Sequence, residues 1–428
     1  MNIAVIGGGI AGLVAGWLLS KRHAVTVFER HAQPGFVASS VAVPVAAGSV
    51  RVDVPLRVFY PGYYPTLTRL YAELGVATQP VNYATTFTGA DGRAYFRWRN
   101  LRWGGRSMPY VLPQDLAGAR ALRIVRGALP FQRQAGAALA RGELAGCSIG
   151  EFVADCGIAP EFVEGLLLPA IATIGTCTTD DARAYPAEVV AGYLAAGLAR
   201  ESVRRARDGA DAVAVRLLAG TARVQCQAGV LGVRRVGAGV AVQRAGAEER
   251  FDHAVFATQA NQALALWHDA DAAEVAVLSA FRYRVLEVVM HRDTALMPVR
   301  RGDWSPVNAR VGREYERPES TIWINRVQPT LHDAAPLFQT VMPQREPRDE
   351  AVIGRARFER PLVDAGSAHA LAALQRLHAQ PGRRVWLCGS YAQAGVPLLE
   401  SAVCSAYAVA ARVDAEAAAV GRRAESLA

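Results

Sequence analysis

The sequence predicts an α/β fold in which a nucleotide-binding domain is assembled from separate parts of the chain, with a discontinuous α+β domain between them. Two observations support this prediction. A glycine-rich turn lies between an apolar strand and a helix close to the start of the 428 residues. A second strand, glycine turn and helix follow from Arg383 onward. Turns of this kind are typical of parallel sheets that hold nucleotides.

The first glycine turn follows Asn2–Ile6, a β-branched and apolar run that suits a buried parallel strand. The next residues fit the pattern G-x-G-x-x-G and continue as a helix of small and apolar residues. The first glycine of this pattern makes the turn, the second lets the backbone approach a pyrophosphate, and the third lets the helix pack on the strand. The residues predicted to cradle the phosphates are Gly7, Gly9, Ile10, Ala11 and Gly12.

An acidic residue follows the second strand, Ala24–Phe28. In dinucleotide-binding folds an acid about 20 positions beyond the glycines accepts hydrogen bonds from the adenosine ribose. Glu29 stands at this spacing from Gly7, and its neighbour Arg30 is assigned to the same site. The fingerprint by itself leaves open whether the nucleotide is FAD or NAD.

Composition excludes several classes of protein. Hydrophobic residues make up 51% of the chain and charged residues 20%, which is typical of a globular protein. No apolar run approaches the roughly 20 residues that cross a bilayer. The net charge of +9 comes from arginines spread along the chain, since Lys21 is the only lysine, and this spread argues against nucleic-acid binding. A basic mouth that guides an anionic substrate stays open as an alternative.

The cysteines and histidines show no spacing typical of metal ligands, so we expect no metal site. The chain enters a strand at once, without a basic leader or a cleavage site, and a cytoplasmic protein is therefore expected.

Two further blocks resemble parts of a nucleotide-binding domain. Residues 385–388 form a predicted strand, Gly389 a turn, and a long helix follows from about Leu398. The middle block, residues 222–266, consists of short strands divided by glycine turns and includes a strand at 251–257. Because these pieces occur at both ends and in the middle, the domains must be discontinuous. We predict a nucleotide-binding domain at 1–75, 205–265 and 380–428, and a substrate domain at 76–204 and 266–379.

Together, these blocks resemble the flavin-containing amine oxidase and desaturase superfamily. A narrower resemblance is to bacterial predicted NAD/FAD-binding, amine-oxidase-like FAD-dependent oxidoreductases. Three segments carry it: YYPTLTRLYAELGV at 63–76, HRDTALMPVRRGDWSPVN at 291–308 and STIWINRVQPT at 320–330. The resemblance implies FAD as the cofactor, bound by a Rossmann-type, glutathione-reductase-like domain with the amine oxidase topology.

The resemblance also implies further positions around the cofactor. Val230 meets the adenine through its backbone, and Gly389 with Ser390 lies beside the ribityl chain and phosphate. The helix start at Leu398 and Leu399 faces the pyrimidine edge of the flavin.

The chain departs from the family pattern at two places. Phe36 stands where a second glycine is usual, and Pro55 stands where the family has a glycine beside the flavin ring. Proline offers no N–H to the ring, so Leu56 and Arg57 become the candidates of this loop for cofactor contact. Arg57 either faces the flavin, clamps a substrate carboxylate or is structural.

The resemblance implies an FAD-dependent oxidoreductase that removes hydride from a C–C or C–N bond of a small or acyl, lipid-like substrate. Two alternatives stay open: a flavin-dependent isomerase without net redox, and a non-catalytic flavin-binding module. Many amine oxidases of the superfamily have a lysine that holds a water at flavin N5. The single lysine of this chain, Lys21, lies in the first predicted helix, which argues against an amine oxidase that activates oxygen in this way. No catalytic acid or base is assigned, and the candidates for the substrate pocket are Tyr60, His291, Trp304 and Trp323.

Overall fold

The computed structural model describes residues 1–45, 48–103, 106–116, 118–196, 202–221, 223–312 and 316–427. The strands, in chain order, are β1 Asn2–Ile6, β2 Ala24–Phe28, β3 Val41–Val45, β4 Gly48–Val52, β5 Thr78–Pro80, β6 Thr85–Thr88, β7 Ala94–Trp103, β8 Arg106–Tyr110, β9 Arg204–Ala206, β10 Arg223–Gln225, β11 Val230–Val236, β12 Gly239–Arg244, β13 Ala247–Phe251, β14 His253–Phe256, β15 Tyr283–His291, β16 Val307–Arg310, β17 Glu319–Trp323, β18 Phe338–Val341, β19 Val352–Pro361 and β20 Val385–Leu387.

The α-helices are α1 Ile10–Leu19, α2 Pro65–Glu73, α3 Ala119–Arg141, α4 Ile149–Asp155, α5 Pro160–Phe162, α6 Leu168–Gly175, α7 Thr179–Arg183, α8 Ala187–Ala195, α9 Gly209–Ala219, α10 Ala260–Leu266, α11 Ala272–Ser279, α12 Ile324–Val327, α13 Ala365–His378 and α14 Leu399–Leu427. A π-helical turn, Val163–Leu167, joins α5 to α6. Within the described ranges, no helix has both the length and the hydropathy needed to cross a bilayer.

A parallel sheet carries both predicted glycine turns. Its order is β10-β2-β1-β14-β20, so strands from the beginning, the middle and the far part of the chain lie side by side. The inner strands β1, β2 and β14 and the edge strand β20 contribute almost wholly buried residues, as expected where helices cover both faces of a parallel sheet, whereas the edge strand β10 is partly exposed. Helix α1 leaves the end of β1 and packs against α14. Because the strands are parallel, the turns after β1 and β20 meet at one edge.

A three-stranded antiparallel meander, β11-β12-β13, follows β10 in the chain. It buries Val233, Val240 and Val242 in a second core with helices α11 and α13. The meander thereby contacts the parallel sheet through β1 and β14.

The second large sheet has the order β19-β15-β18-β17-β16-β6-β7-β8. Its pairs are antiparallel except for β16 with β6. Successive residues of a strand point to opposite faces. We call the face that carries Gln339 the inner face, because Gln339 contacts the segment around Pro55, and the face that carries Phe338 the outer face.

Helices α3 to α8 pack on one another, and α3 contacts β7 of this sheet. Ile124, Phe131 and Leu168 belong to the buried core of these helices. The hydroxyl of Tyr95 in β7 donates to the carbonyl of Gly165 at 2.7 Å, which ties the sheet to the π-helical turn. A parallel nucleotide-binding sheet with a sheet-rich second part confirms the predicted α/β fold class, while the predicted domain boundaries stay a prediction.

Candidate functional site

Three glycines shape the first turn in different ways. Gly7 has φ of 108°, and a Cβ on Gly12 would lie 1.9 Å from the Gly7 carbonyl oxygen, so these two positions exclude side chains. Gly9 differs, because nothing lies within 4 Å of its Cβ position. Its backbone angles, φ −68° and ψ 177°, suit any residue. Gly9 therefore keeps a space clear and does not relieve backbone strain.

The space in front of Gly9 lies at the N-terminus of α1. Gly9 is the N-cap and supplies no side-chain cap, and the first turn of α1 has no acidic residue. The first N–H groups of a helix lack intrahelical acceptors and carry partial positive charge. This end of α1 can therefore receive an anion such as a phosphate.

Glu29 lies beside this turn and is 5% exposed. Its Oε2 accepts from the backbone N–H groups of Gly8 (2.9 Å) and Gly35 (3.1 Å). Its Oε1 accepts from the backbone N–H of His31 (2.8 Å) and contacts the His31 ring Nδ1 (2.7 Å). Each carboxylate oxygen thus has two protein partners. A ribose hydroxyl can reach Glu29 only when the half-exposed His31 ring moves away.

The middle block reaches the same corner of the molecule. The backbone N–H of Ala228 donates to the carbonyl of Glu29 at 2.8 Å. Val230 begins β11 two residues later, and a Cβ on Gly229 would lie 3.7 Å from the Cβ of the exposed Arg30. We call this assembly, formed by residues 7–12, Glu29, Arg30 and Val230, the glycine corner.

The second glycine turn lies at the same sheet edge. Gly389 has φ of 153°, and its N–H donates to the Ser405 hydroxyl at 2.9 Å. Ser390 begins a short 3-10 helix directly afterwards. A Cβ on Gly7 would lie 3.0 Å from the carbonyl oxygen of Ala257, and a Cβ on Gly389 would lie 3.6 Å from that of Thr258. The two turns therefore flank the end of a single strand, β14.

Helix α14 begins at Leu399, after Gly395 with φ of 107°. Leu398 and Leu399 are both partly exposed at this helix start. Glu400 is buried and accepts from the backbone N–H groups of Thr66 (2.9 Å) and Leu67 (2.8 Å). One carboxylate thus ties the N-terminus of α2 to that of α14.

A tyrosine cluster lies next to this helix start. It consists of Tyr60, Tyr63, Tyr64 and Tyr193, with the rings of Tyr63 and Tyr193 4.6 Å apart. The Tyr63 hydroxyl accepts from the N–H of Val396 at 2.8 Å, and the Tyr60 hydroxyl donates to the carbonyl of Tyr193 at 2.8 Å. Burial raises the pKa of Tyr60 and Tyr193 far above the usual value, so both stay protonated.

The segment around Pro55 is fastened to the inner face of the large sheet. The Leu56 N–H donates to Gln339 Oε1 at 2.7 Å, and Gln339 Nε2 donates to the carbonyl of Asp53 at 3.1 Å. Pro55 has no N–H. The next N–H along the chain, that of Leu56, is bound to Gln339. The Leu56 N–H is not available to a cofactor in this arrangement.

Arg57 points toward the glycine corner. Its Nη2 donates to the carbonyl of Phe36, and its guanidinium lies 4.2 Å over the Phe36 ring. The Phe36 N–H in turn donates to the carbonyl of Gly8 at 3.1 Å. Burial lowers the pKa of Arg57, and the charge of Asp53 partly offsets this effect. A desolvated guanidinium with its Nε unpartnered is available to an anion.

The predicted pocket residues lie on different surfaces. Tyr60 belongs to the tyrosine cluster, whereas His291 and Trp304 contact Phe338 on the outer face, with ring centroids 5.6 and 5.9 Å away. Trp323 pairs with Phe338 across the strands. Because neighbouring Gln339 contacts the Pro55 segment on the inner face, the outer face points away from it. The structure does not bring the four residues together.

His291 has a structural environment. It is fully buried, with Nε2 2.7 Å from the Thr340 hydroxyl and Nδ1 accepting from the Asp293 N–H at 3.1 Å. Burial lowers its pKa to about 4. Both ring nitrogens are therefore used within the protein.

Comparison with known proteins identifies the fold. Residues 5–74 match the family of NAD(P)-binding Rossmann-like domains. No curated protein matches the chain. The CLA-producing fatty acid isomerase from P. acnes is 16% identical, with a TM-score of 0.66 over 96% of this chain and 98% of that one. Cyclohexylamine oxidase from Brevibacterium oxydans IH-35A is 14% identical, with a TM-score of 0.65 over 96% and 99%. Putrescine oxidase bound to putrescine is 14% identical, with a TM-score of 0.65 over 97% and 99%.

The chain has the amine-oxidase fold. The resemblance predicted from the sequence is thereby confirmed at the level of the fold. Among the described residues of this amine-oxidase fold, no group of three or more His, Cys, Asp or Glu side chains is arranged to hold a metal ion.

Sequence reasoning missed several residues that shape the site. Gln339 fastens the Pro55 segment, His31 shares the carboxylate of Glu29, and Glu400 joins two helix starts. The signal available for Gln339 was a polar residue within the apolar stretch Leu337–Val341. Nothing local identified Glu400, because its partners are more than 300 residues away along the chain.

Proposed function

We propose that the chain is an FAD-dependent oxidoreductase that removes hydride from a C–C or C–N bond of a small or lipid-like organic substrate. The observation that carries the proposal is the clear space in front of Gly9 at the N-terminus of α1. The fold shared with putrescine oxidase and cyclohexylamine oxidase supports an enzyme of this class.

FAD is favoured over a nicotinamide nucleotide because two glycine turns flank β14 at one sheet edge. A single turn at a helix N-terminus suffices for one pyrophosphate. The second turn, at Gly389, together with the start of α14, suits the flavin half of an extended dinucleotide. FAD thus engages both turns, whereas a nicotinamide nucleotide leaves the second turn without a role.

The chain's own residues divide the task of holding FAD. The N–H groups behind Gly9 receive the pyrophosphate, and Glu29 with Val230 and the adjacent Arg30 receives the adenosine half. Gly389, Ser390 and the N–H groups at Leu398 and Leu399 receive the flavin half.

Arg57 is assigned to the phosphates and not to the flavin ring, because its guanidinium lies beside Phe36 next to the glycine corner. Leu56 fastens the Pro55 segment to the large sheet, because its N–H donates to Gln339. Bound FAD supplies the hydride acceptor, and the protein's part is to orient the substrate.

The test fills the space at Gly9. Gly9→Val should abolish retention of FAD, because the new side chain occupies the volume that the pyrophosphate needs. The fold should survive, since the backbone angles suit valine and no atom lies within 4 Å of the Cβ position. Flavin absorbance per protein and the thermal midpoint of the FAD-free protein are the two measurements.

Gly136→Val in α3 is the matched control, because Gly136 also has nothing within 4 Å of its Cβ position. It should keep the full flavin content. A Gly9→Val protein that purifies with as much flavin as the control would overturn the proposal.

A flavin-dependent isomerase is the second candidate, favoured by the fold shared with the fatty acid isomerase. The two candidates differ in electron balance. Oxidation of a substrate under anaerobic conditions consumes an added electron acceptor in proportion to product, whereas isomerisation consumes none. Measuring acceptor and product together decides between them.

A further inference from the structure

A cavity of about 550 Å³ lies on the outer face of the large sheet, near the ends of β6, β7 and β17. Its volume is typical of sites for small molecules. Three arginines and two tryptophans give it its character, and we call it the arginine–tryptophan pocket: Arg99, Arg301, Arg326, Trp304 and Trp323.

The tryptophans hold two of the guanidinium groups in place. Arg301 lies 4.5 Å from the ring centre of Trp304, and Arg326 lies 4.7 Å from that of Trp323. The two tryptophan rings meet edge to face at 5.4 Å. A guanidinium stacked on a ring keeps the N–H groups at its edge free to donate. The walls of the cavity therefore carry two guanidinium groups that rest against tryptophan rings.

Negative charge near the pocket is already engaged elsewhere. No carboxylate belongs to the described residues that line the cavity. Asp115 lies 4.0 Å from Arg99, but it is bound to Arg97 at 2.6 Å. Asp303 is also close to Arg97, at 3.5 Å.

The rim adds little charge of its own. Arg326 contacts the ring nitrogen of His332 at 3.1 Å, and His332 contacts Asp333 at 2.8 Å. Asp333 is 98% exposed, so water screens it strongly. The cavity thus has an excess of positive charge.

One N–H group of the pocket, Nε1 of Trp323, is buried and has no acceptor within the protein. Nε of Arg99 faces the Asp115 carboxylate at 4.0 Å, beyond hydrogen-bond distance. The oxygen of the Asn82 side chain, an acceptor at the same cavity, is taken by the N–H of Ala84 at 3.1 Å. Buried donors without acceptors are costly, so a ligand that brings acceptor oxygens is stabilised here.

Two of the three segments that carry the narrower family resemblance contribute side chains to this pocket. Residues 291–308 supply Arg301 and Trp304, and residues 320–330 supply Trp323 and Arg326. Neither segment contributes to the glycine corner. The proposed role in holding FAD therefore leaves these residues without a function.

We propose that the arginine–tryptophan pocket binds a ligand through a phosphate group. A carboxylate is satisfied by one bidentate arginine, whereas a phosphate offers two charges and three free oxygens to several guanidinium groups. The phosphate belongs either to a soluble phosphate ester or to a lipid headgroup. The site is independent of the glycine corner.

Isothermal titration calorimetry with sodium phosphate tests the site, with sodium chloride holding the ionic strength constant. The full-length protein should give saturable heat. Arg301→Gln and Arg326→Gln should each weaken binding at least about tenfold, because each removes charge-assisted hydrogen bonds. Arg301→Lys should keep more affinity than Arg301→Gln. Arg133→Gln, on the exposed side of α3, is the matched control and should bind as the parent does.

Vesicles distinguish the two sources of phosphate. Co-sedimentation with phosphatidylcholine vesicles that contain phosphatidic acid, lost in Arg326→Gln and absent with phosphatidylcholine alone, supports the site with a lipid headgroup as its ligand. Saturable heat with sodium phosphate but no co-sedimentation supports a soluble ester. Neither heat nor co-sedimentation, or binding unchanged in both glutamine variants, overturns the proposal. Binding that persists in Gly9→Val separates this site from the proposed FAD site.

Discussion

The glycine corner and the arginine–tryptophan pocket are built in opposite ways. At the glycine corner, backbone N–H groups and the absence of side chains at Gly9 create the space. In the pocket, long side chains from distant segments create the surface, and the strands beneath them only fix their positions. The first kind of site is damaged by adding atoms, and the second by removing them.

This difference also separates folding from binding. Gly7 and Gly12 are required by the helix and strand that they join, so a substitution at either position alters the fold together with the corner. Arg301 and Arg326 of the pocket are exposed side chains that contact tryptophan rings. We therefore expect substitutions at Gly7 and Gly12 to change stability strongly, whereas substitutions at Gly9 or in the pocket should change mainly ligand binding.

The largest effect is expected for Gly12→Ala. A Cβ at this position would lie 1.9 Å from the Gly7 oxygen, so α1 and β1 must move apart. We expect a loss of more than about 3 kcal/mol in the free energy of unfolding, measured by urea denaturation.

Gly136→Ala controls for the change of residue type. It should stabilise the protein by up to about 1 kcal/mol, because alanine is the better helix former and nothing lies near its Cβ position. If Gly12→Ala were as stable as the parent, the close packing of helix on strand described here would be wrong.

The next effect concerns the support of the pocket in acid. Trp304 packs on Phe338, which packs on His291, and burial lowers the pKa of His291 to about 4. The unfolded chain has a histidine pKa of about 6.5 and therefore binds the proton first as the pH falls. The stability from His291 is complete above about pH 6.5 and is lost as the pH falls toward 4, by about 3 kcal/mol at most.

Thermal midpoints between pH 7 and pH 4 measure this loss. His291→Gln should flatten the curve over this interval, and His253 and His378 contribute the remainder, since burial lowers their pKa to about 4 and about 3. His369→Gln is the control at an exposed site and should follow the parent. Parallel curves for His291→Gln and the parent would contradict the expectation.

The smallest effect is expected for Arg301→Gln on stability. An exposed cation–π contact contributes about 0.5–1 kcal/mol, so the free energy of unfolding should change by less than about 1 kcal/mol. Arg97→Gln should cost more, because this buried arginine is paired with Asp115. If the two variants were equally destabilised, the pocket arginines would have a structural role and the contrast with the glycine corner would fail.

The strands, the turn and the acidic residue at the start of the glycine corner have local determinants. The predicted strands Asn2–Ile6 and Ala24–Phe28 have the observed bounds, and Glu29 lies against the turn. Spacing along a strand, a helix and a second strand sets these positions within about 30 residues. Pairing of Glu29 with His31 was not predicted, since either residue has many possible rotamers.

The position of the outer face could not be read from the sequence. Alternation along β18 shows that Phe338 and Gln339 face opposite ways, but it does not show which of them meets the Pro55 segment. That choice depends on contacts between residues 283 positions apart, such as Leu56 and Gln339. For the same reason the direction of Arg57, toward Phe36, had no signal in its own neighbourhood.

Strand β18 limits which mutations this chain can tolerate. Phe338 supports the tryptophan wall, and the next residue, Gln339, holds Asp53 and Leu56. A mutation that shifts the register of this short strand would exchange the two faces and disrupt the tryptophan wall and the Pro55 segment at once. A library that randomises β18 should therefore yield very few folded variants. A library that randomises the pocket arginines should yield many variants that fold but do not bind the ligand of the pocket.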